Sequence, residues 1–299
     1  MQGSKQVPGL IIKNRSDSMK KILEMLAVGF VALAIAGCGG GEKPAAKSAE
    51  KPAEKKVTLH VYSAASMTET MKKITEDYKK VAPNVEIVNN FDSSGTLKTQ
   101  IQNGAECDIF ISAAPKQMNQ LDVQNTTDNK NKLDFVLEGT RINLLENKVV
   151  LAVPAKNPKG IKSFADLAKM LQAGTVRLIM GNSDVPVGQY TQKILSFYKL
   201  DEKELANKGL ISYGSNVKEV TTQVKEASGD CGVVYGTDAY SAKLQTVGSA
   251  TKEMCGQVIY PAAVMKKSKN QEAAKAFLKY LQGPEATKVF ESVGFNKAK

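Results

Sequence analysis

From Val57 onward, short apolar runs alternate with stretches whose apolar residues recur every three or four positions, the pattern of successive strand and helix units. The run "VTLHVYS" (57–63) reads as a strand. In "SMTETMKKITEDYKKVAP" (66–83), Met67, Met71, Ile74, Tyr78 and Val81 fall on one helical face, Ser66 and Glu69 have the spacing of a capping box, and Pro83 stops the helix. Strand "VEIVNNF", helix "GTLKTQIQNG", strand "CDIFISA" and helix "PKQMNQL" continue the alternation. The passage "RINLLENKVVLAVPAKNP" (141–158) is long and apolar enough to cross from one lobe to another. Beyond it come helix "SFADLAKML", strand "RLIMGN", helices "VPVGQYTQKILSFY" and "NVKEVTTQVKEA", and strands "CGVVYG" and "GQVIYPAAVM". Helices "NQEAAKAFLKYL" and "PEATKVFESV" close the chain. The pattern predicts an α/β fold with mixed, mostly parallel sheet, and no internal repeat interrupts it.

The first 56 residues follow another logic. From Met19 the chain reads "MKKILEMLAVGFVALAIAGCGGGEK", two lysines and a short apolar run ending in Ile35, Ala36, Gly37 and Cys38. A basic start and a short apolar segment ending in small residues describe a secretory signal, too short for a membrane span. The stretch also resembles the bacterial lipoprotein signal, in which the cysteine is acylated and becomes the new N-terminus; an ordinary signal with a coincidental Cys38 is the alternative. Residues 1–18 read as an upstream extension. After Cys38, "GGGEKPAAKSAEKPAEKK" holds no aromatic and no β-branched residue, so it offers nothing to offset the entropy of ordering and is expected to be a flexible tether. Residues 1–37 are thus assigned to extension and signal peptide, and residues 38–56 to the lipidated cysteine and tether.

Composition narrows the function. The chain has 299 residues, with 41 Lys plus Arg against 30 Asp plus Glu, one His, four Cys and no Trp. That length suits one large domain or two modest ones. The surplus of positive charge favours an anionic partner, but it is spread along the chain, which speaks against nucleic acid. Cys107, Cys231 and Cys255 remain once Cys38 is set aside, enough for at most one disulfide, with the pair left open. The single histidine, His60, lies inside the first expected strand, and no G-x-S-x-G elbow, Gly-rich phosphate loop or His/Cys ligand spacing is present, so no enzyme chemistry and no bound metal cofactor are read here. Asp201 and Glu202 sit in a charged linker and read as solvated surface. Absence of Trp disfavours sugar stacking, and Arg141 and Arg177, the arginines beyond the signal region, stand in no candidate turn.

Four turns carry small or hydroxylated residues after an expected strand and at the start of an expected helix: Ser63 to Ser66, Ser93 to Thr96, Val185 to Gly188, and Gly214 to Val217. A fifth, "VVYGTDA", sets Tyr235 at a strand end. Helix N-termini present unpaired N–H groups with partial positive charge, and several aimed at one point form an anion site without a formal cation. The same residues also have structural readings: Ser66 and Ser94 as helix caps, Pro186 as a first-turn proline, Tyr235 as an edge-of-core tyrosine.

The stretches "SAASMTETMKKI", "FDSSGTLKTQIQNGAECDIFISA", "DVPVGQYTQKIL", "NVKEVTTQV", "CGVVYGTDA" and "YPAAVM", in that order from about Val57 to the C-terminus, resemble the molybdate-binding proteins that feed ABC transporters. The resemblance implies a two-lobed periplasmic binding protein fold (class II) with a hinge, lobe I from residues 57–143 and 258–299 and lobe II from 144–257. It also implies a tetrahedral oxyanion, molybdate or tungstate, held by neutral donors: the hydroxyls and amides of Ser66 and Ser94, the backbone amides of Val187 and Val217, and the phenol of Tyr235. Val187 stands where alanine is common in that family, and Gly95 where a further serine is common. The implied protein is a monomer, needs no cofactor, and is lipid-anchored through Cys38 on the extracytoplasmic side of the cell envelope. Its implied partners are a permease and an ATPase. Sulfate or phosphate on the same fold is the alternative, and an adhesin or sensor that only displays the fold is another.

Overall fold

The computed structural model describes residues 55–298; the signal region, Cys38 and residues 38–54 of the tether lie outside the described residues. Two sheets organise them. The first contains β1 (Val57–Ala64), β2 (Val85–Asp92), β3 (Ile109–Ile111), β4 (Ile142–Asn147), β10 (Val258–Val264) and β11 (Asn296–Lys297), in the order β11-β4-β10-β3-β1-β2. The second contains β5 (Val149–Val153), β6 (Leu178–Gly181), β7 (Ile211–Gly214), β8 (Cys231–Tyr235) and β9 (Gln245–Ser249), in the order β7-β6-β8-β5-β9. With the first go α1 (Thr68–Val81), α2 (Ser94–Gln102), α3 (Pro115–Asn119), α10 (Gln271–Leu281) and α11 (Pro284–Glu291). With the second go α4 (Phe164–Gln172), α5 (Pro186–Phe197), α6 (Glu202–Asn207), α7 (Val217–Lys225), α8 (Gly236–Ala242) and α9 (Lys252–Cys255).

Central strands covered on both faces read as unbroken apolar runs, and all of β5 and β8 is buried. Amphipathic helices supply the cover. Met71 and Ile74 of α1 are fully buried, and Tyr78 meets Phe277 and Tyr280 of α10 with ring centroids 4.7 and 4.8 Å apart. Val81, expected on the same face, is 63% exposed, because the helix ends at that residue.

Three expectations change. The sheets are mixed but not mostly parallel: β1–β2, β1–β3, β6–β7 and β6–β8 are parallel, whereas β10–β3, β10–β4, β11–β4, β5–β8 and β5–β9 are antiparallel. The strands reversed against the rest of their sheets are β5 and β10, each the first strand after a crossing between sheets, and the edge strand β11. The outward crossing falls at Lys148, between β4 and β5, so a lobe boundary at 143/144 would divide β4; the return lies between β9 and β10. The Ser66 and Glu69 capping box is absent. A 3-10 turn over Ala65–Met67 precedes α1, whose N-cap Met67 makes no side-chain cap, because the Ser66 hydroxyl faces Tyr260 and Glu69 reaches Lys218.

The lobes touch along a rim. Gln117 Nε2 donates to Gln189 Oε1 at 3.3 Å, and Lys218 Nζ lies 2.8 Å from Glu69 and 3.1 Å from Asp238 Oδ1. Burial alone would lower the Lys218 pKa, but the two carboxylates outweigh it and raise it. Asp238 is fully buried, and despite the nearby ammonium neither of its carboxylate oxygens receives a well-directed hydrogen bond. Burial therefore pushes its pKa up to about 6, against the pull of Lys218.

Two outcomes follow from these contacts. Because Asp238 titrates higher in the folded state than the unfolded value of about 3.9, the fold binds extra proton between those limits and loses stability as pH rises through 6. Asp238→Asn should thus melt higher than the parent at pH 7 to 8, with the gain fading below about pH 4, in paired thermal unfolding curves. At Gly95, a Cβ would lie 2.2 Å from the carbonyl oxygen of Asp184 in the other lobe. Gly95→Ala should keep both cores but hold the lobes apart, seen as a larger radius of gyration by small-angle scattering.

Candidate functional site

Five chain turns meet where the carboxyl ends of strands from both sheets face each other, the usual ligand position in open α/β folds. Ser66 lies in the 3-10 turn after β1, and Ser94 is the first residue of α2. Val187 follows Pro186 at the start of α5, Val217 opens α7, and Tyr235 ends β8. Together they line one cavity of about 10 Å3. That is room for the centre of about one water-sized group, far below the roughly 300–1,000 Å3 of pockets for drug-sized ligands, so the turns are packed closely around a single point.

Local sequence sets each turn. Ser93 caps α2 by accepting from Thr96 N–H at 3.1 Å, which leaves Ser94 to face inward. Asn216 caps α7 in the same way, through Glu219 N–H at 3.1 Å. Pro186 occupies the first turn of α5, where its missing N–H costs nothing. Gly188 lets that turn press on the end of β6: a Cβ there would meet the carbonyl oxygens of Asn182 and Gly181 at 2.2 and 2.3 Å. First-turn amides such as those of Val187 and Val217 have no acceptor within their helices, so they offer donors to the cavity.

The side chains that face the cavity are chiefly donors. Ser94 Oγ accepts from Ala113 N–H at 2.9 Å, which leaves its own hydrogen free. Tyr235 OH makes a long contact, 3.5 Å, to the Ala113 carbonyl and lies near the Tyr260 hydroxyl. Burial holds this phenol protonated, far above its ordinary pKa. Ser66 Oγ lies 2.9 Å from Tyr260 OH. No lysine, arginine or histidine lines the cavity. Its one carboxylate, Asp92, has Oδ1 occupied by Ser93 N–H at 2.7 Å and by Asn216 Nδ2 at 3.5 Å.

All five residues singled out in the sequence therefore face one space. The residues that hold them there, Ala113, Asn147, Thr237 and Tyr260, carried no sequence signal of that role. His60 is remote, at the other part of β1, with its ring 3.9 Å from Glu106 and its backbone N–H donating to Asp108. Arg141 pairs with Asp122 at 2.7 Å, away from the cavity. Cys107, Cys231 and Cys255 are free and buried. Asp201 is not in a linker but caps α6, accepting from Glu204 N–H at 2.8 Å.

Comparison with known proteins bears on this arrangement. The chain is 33% identical over 278 residues to YvgL of Bacillus subtilis (strain 168), covering 92% of this chain and 98% of YvgL. It is 32% identical over 283 residues to the molybdate-binding protein ModA of Haemophilus influenzae, covering 93% and 99% of the two chains. The structure of the Azotobacter vinelandii periplasmic molybdate-binding protein superposes with a TM-score of 0.67 at 22% identity, over 81% of this chain and 100% of that one, and shares the fold. The family model for bacterial extracellular solute-binding proteins matches residues 59–296, and the chain belongs to that family.

Proposed function

We propose that this protein captures molybdate, and tungstate in the same manner, outside the cytoplasm and delivers it to an ABC importer. The observation that carries the reading is the donor set: hydroxyls, a phenol and helix N-termini from both lobes lining one small cavity without a cation. A doubly charged anion stripped of water needs many short hydrogen bonds, and neutral, fixed donors supply them without the strongly hydrated end of a lysine. Ser66, Ser94 and Tyr235 donate through side chains, with the two serine amides alongside, and Val187 and Val217 donate through backbone amides. Donors from both lobes can engage one anion only when the lobes are together, so binding and closure are coupled. The relative named for molybdate supports the choice of anion.

The rest follows from that role. The anion is cargo and not a cofactor, and the protein hydrolyses nothing. A permease and its ATPase are the partners, and the chain works as a monomer. The segment from Met19 to Cys38 supports secretion and lipid anchoring through Cys38, with the following residues as tether.

Thermal unfolding with each anion in turn tests the reading. Ligand at about one hundred times its Kd should stabilise the protein by about 2.7 kcal/mol, and the shift is expected with molybdate and tungstate but not with sulfate or phosphate. A shift with sulfate or phosphate alone would reject molybdate as the cargo. Ser94→Ala and Tyr235→Phe should each remove a charge-assisted bond of about 1.5–3 kcal/mol, a loss of roughly ten- to hundredfold in affinity by calorimetry; Tyr235→Phe should retain the unliganded melting temperature, whereas Ser94→Ala should lower it because the buried Ala113 N–H loses its acceptor.

A further inference from the structure

A buried chain of hydrogen bonds runs behind the cavity, from Thr237 through Asn147 and Tyr260 to Ser66. Its members come from α8, the last residue of β4, β10 and the turn after β1. Thus the strands flanking both crossings, and both lobes, contribute to it. Thr237, Tyr260 and Ser66 are 1%, 0% and 4% exposed, so water does not complete their bonding.

The direction of each bond can be worked out. Asn147 Oδ1 accepts from Lys148 N–H at 2.8 Å, which fixes the amide: the other atom is the nitrogen, and it can only donate. That nitrogen donates to Thr237 Oγ1 at 2.9 Å and to Tyr260 OH at 3.2 Å. Tyr260 therefore accepts from Asn147 and has one hydrogen to give. A buried phenol needs a partner for that hydrogen; the Tyr235 phenol lies near it as well, but the short, well-formed contact is with Ser66 Oγ, at 2.9 Å. Ser66 then accepts from Tyr260, and its own hydrogen has no protein acceptor and points to the cavity. Ser94 reaches the same condition by accepting from Ala113 N–H.

We propose that Tyr260, oriented by Asn147, is a specificity-determining positioning residue: by donating to Ser66 it leaves the hydrogen of that hydroxyl free to be given to the bound anion. The inference rests on the oxyanion reading and deepens it. A hydroxyl that spends its hydrogen on the protein faces the ligand with its lone pairs and can accept from a protonated oxyanion such as hydrogen phosphate. One that receives from a phenol turns its hydrogen to the ligand, so the site favours a fully ionised oxygen without any charged group.

Titration calorimetry on the full chain with molybdate, sulfate and phosphate near neutral pH provides the test, using the parent, Tyr260→Phe, Ser66→Ala and the double variant. Tyr260→Phe keeps the ring and removes only the hydroxyl. It should weaken molybdate about tenfold and narrow the gap between molybdate and hydrogen phosphate. In the Ser66→Ala background the same change should alter neither quantity, because Tyr260 acts through Ser66. A purely structural role would lower affinity for all anions equally and persist without Ser66, and that result overturns the inference while leaving the oxyanion reading intact. A parent that binds none of the anions overturns both. Asn147→Ala carries the same Ser66-dependent expectation and decides the matter if Tyr260→Phe does not fold.

Discussion

A buried hydroxyl can give one hydrogen and receive others, and its neighbours decide which it does. That constraint governs this site. In the role proposed for them Ser66 and Ser94 serve an anion only if their hydrogens are not spent on the protein; the Ala113 amide occupies the Ser94 oxygen, and the Tyr260 phenol takes the same part at Ser66 in the proposed direction of that bond. Leaving either oxygen without such a donor would cost stability and blur its direction. Much of the local architecture can be read as the means of supplying those donors. β3 runs on into the Ala113 turn, β10 carries Tyr260, and β4 ends on the asparagine that sets the phenol's direction.

The same economy explains where the charges are. Lys218 immediately follows Val217, one of the residues lining the cavity, yet its ammonium is turned away to Glu69 and Asp238. A lysine aimed inward would bind any anion, protonated or not, whereas fixed dipoles discriminate by direction. Placed at the rim, the same lysine ties the first turn of α7 to the first turn of α1, and so registers a donor turn of one lobe against a donor turn of the other. Gly95 serves the contact between lobes in a different way, by allowing backbone of α2 to approach Asp184 more closely than any side chain would permit.

How much of this the sequence discloses depends on the range of the interaction. Helices with strong periodicity and a local cap were legible: α4 behind Ser163 and α7 behind Asn216 begin where the pattern places them. That Ser66, Ser94, Val187, Val217 and Tyr235 gather around one cavity was legible too, because each sits in a short motif at a strand end. What failed was whatever a distant partner decides. Ser66 and Glu69 have capping-box spacing, but a tyrosine 194 positions away and a lysine 149 positions away claim them. β4 and β5 form one apolar run, and nothing in its periodicity says that Asn147 and Val149 belong to different sheets. Asp201 caps α6 with Glu204 three residues on, a signal that was present but hidden in a stretch rich in charge. Strand direction in the sheets was equally hidden, since burial patterns are the same in parallel and antiparallel neighbours.

Asn147 shows why the hardest residues to read are also the most informative. As the last residue of β4 it needs only to end a strand, and many polar residues would do so. Its amide instead accepts from Lys148 N–H on one side and donates to Thr237 and Tyr260 on the other, joining both lobes at the crossing. Aspartate would have no hydrogen to give Tyr260, and would draw the phenol's hydrogen toward itself and away from Ser66. A hydrophobic residue would leave the phenol oxygen without a donor. A group that donates on one face and accepts on the other leaves the phenol's hydrogen for Ser66, so the strands beside the crossings shape the lining of the cavity and do not merely connect the two sheets.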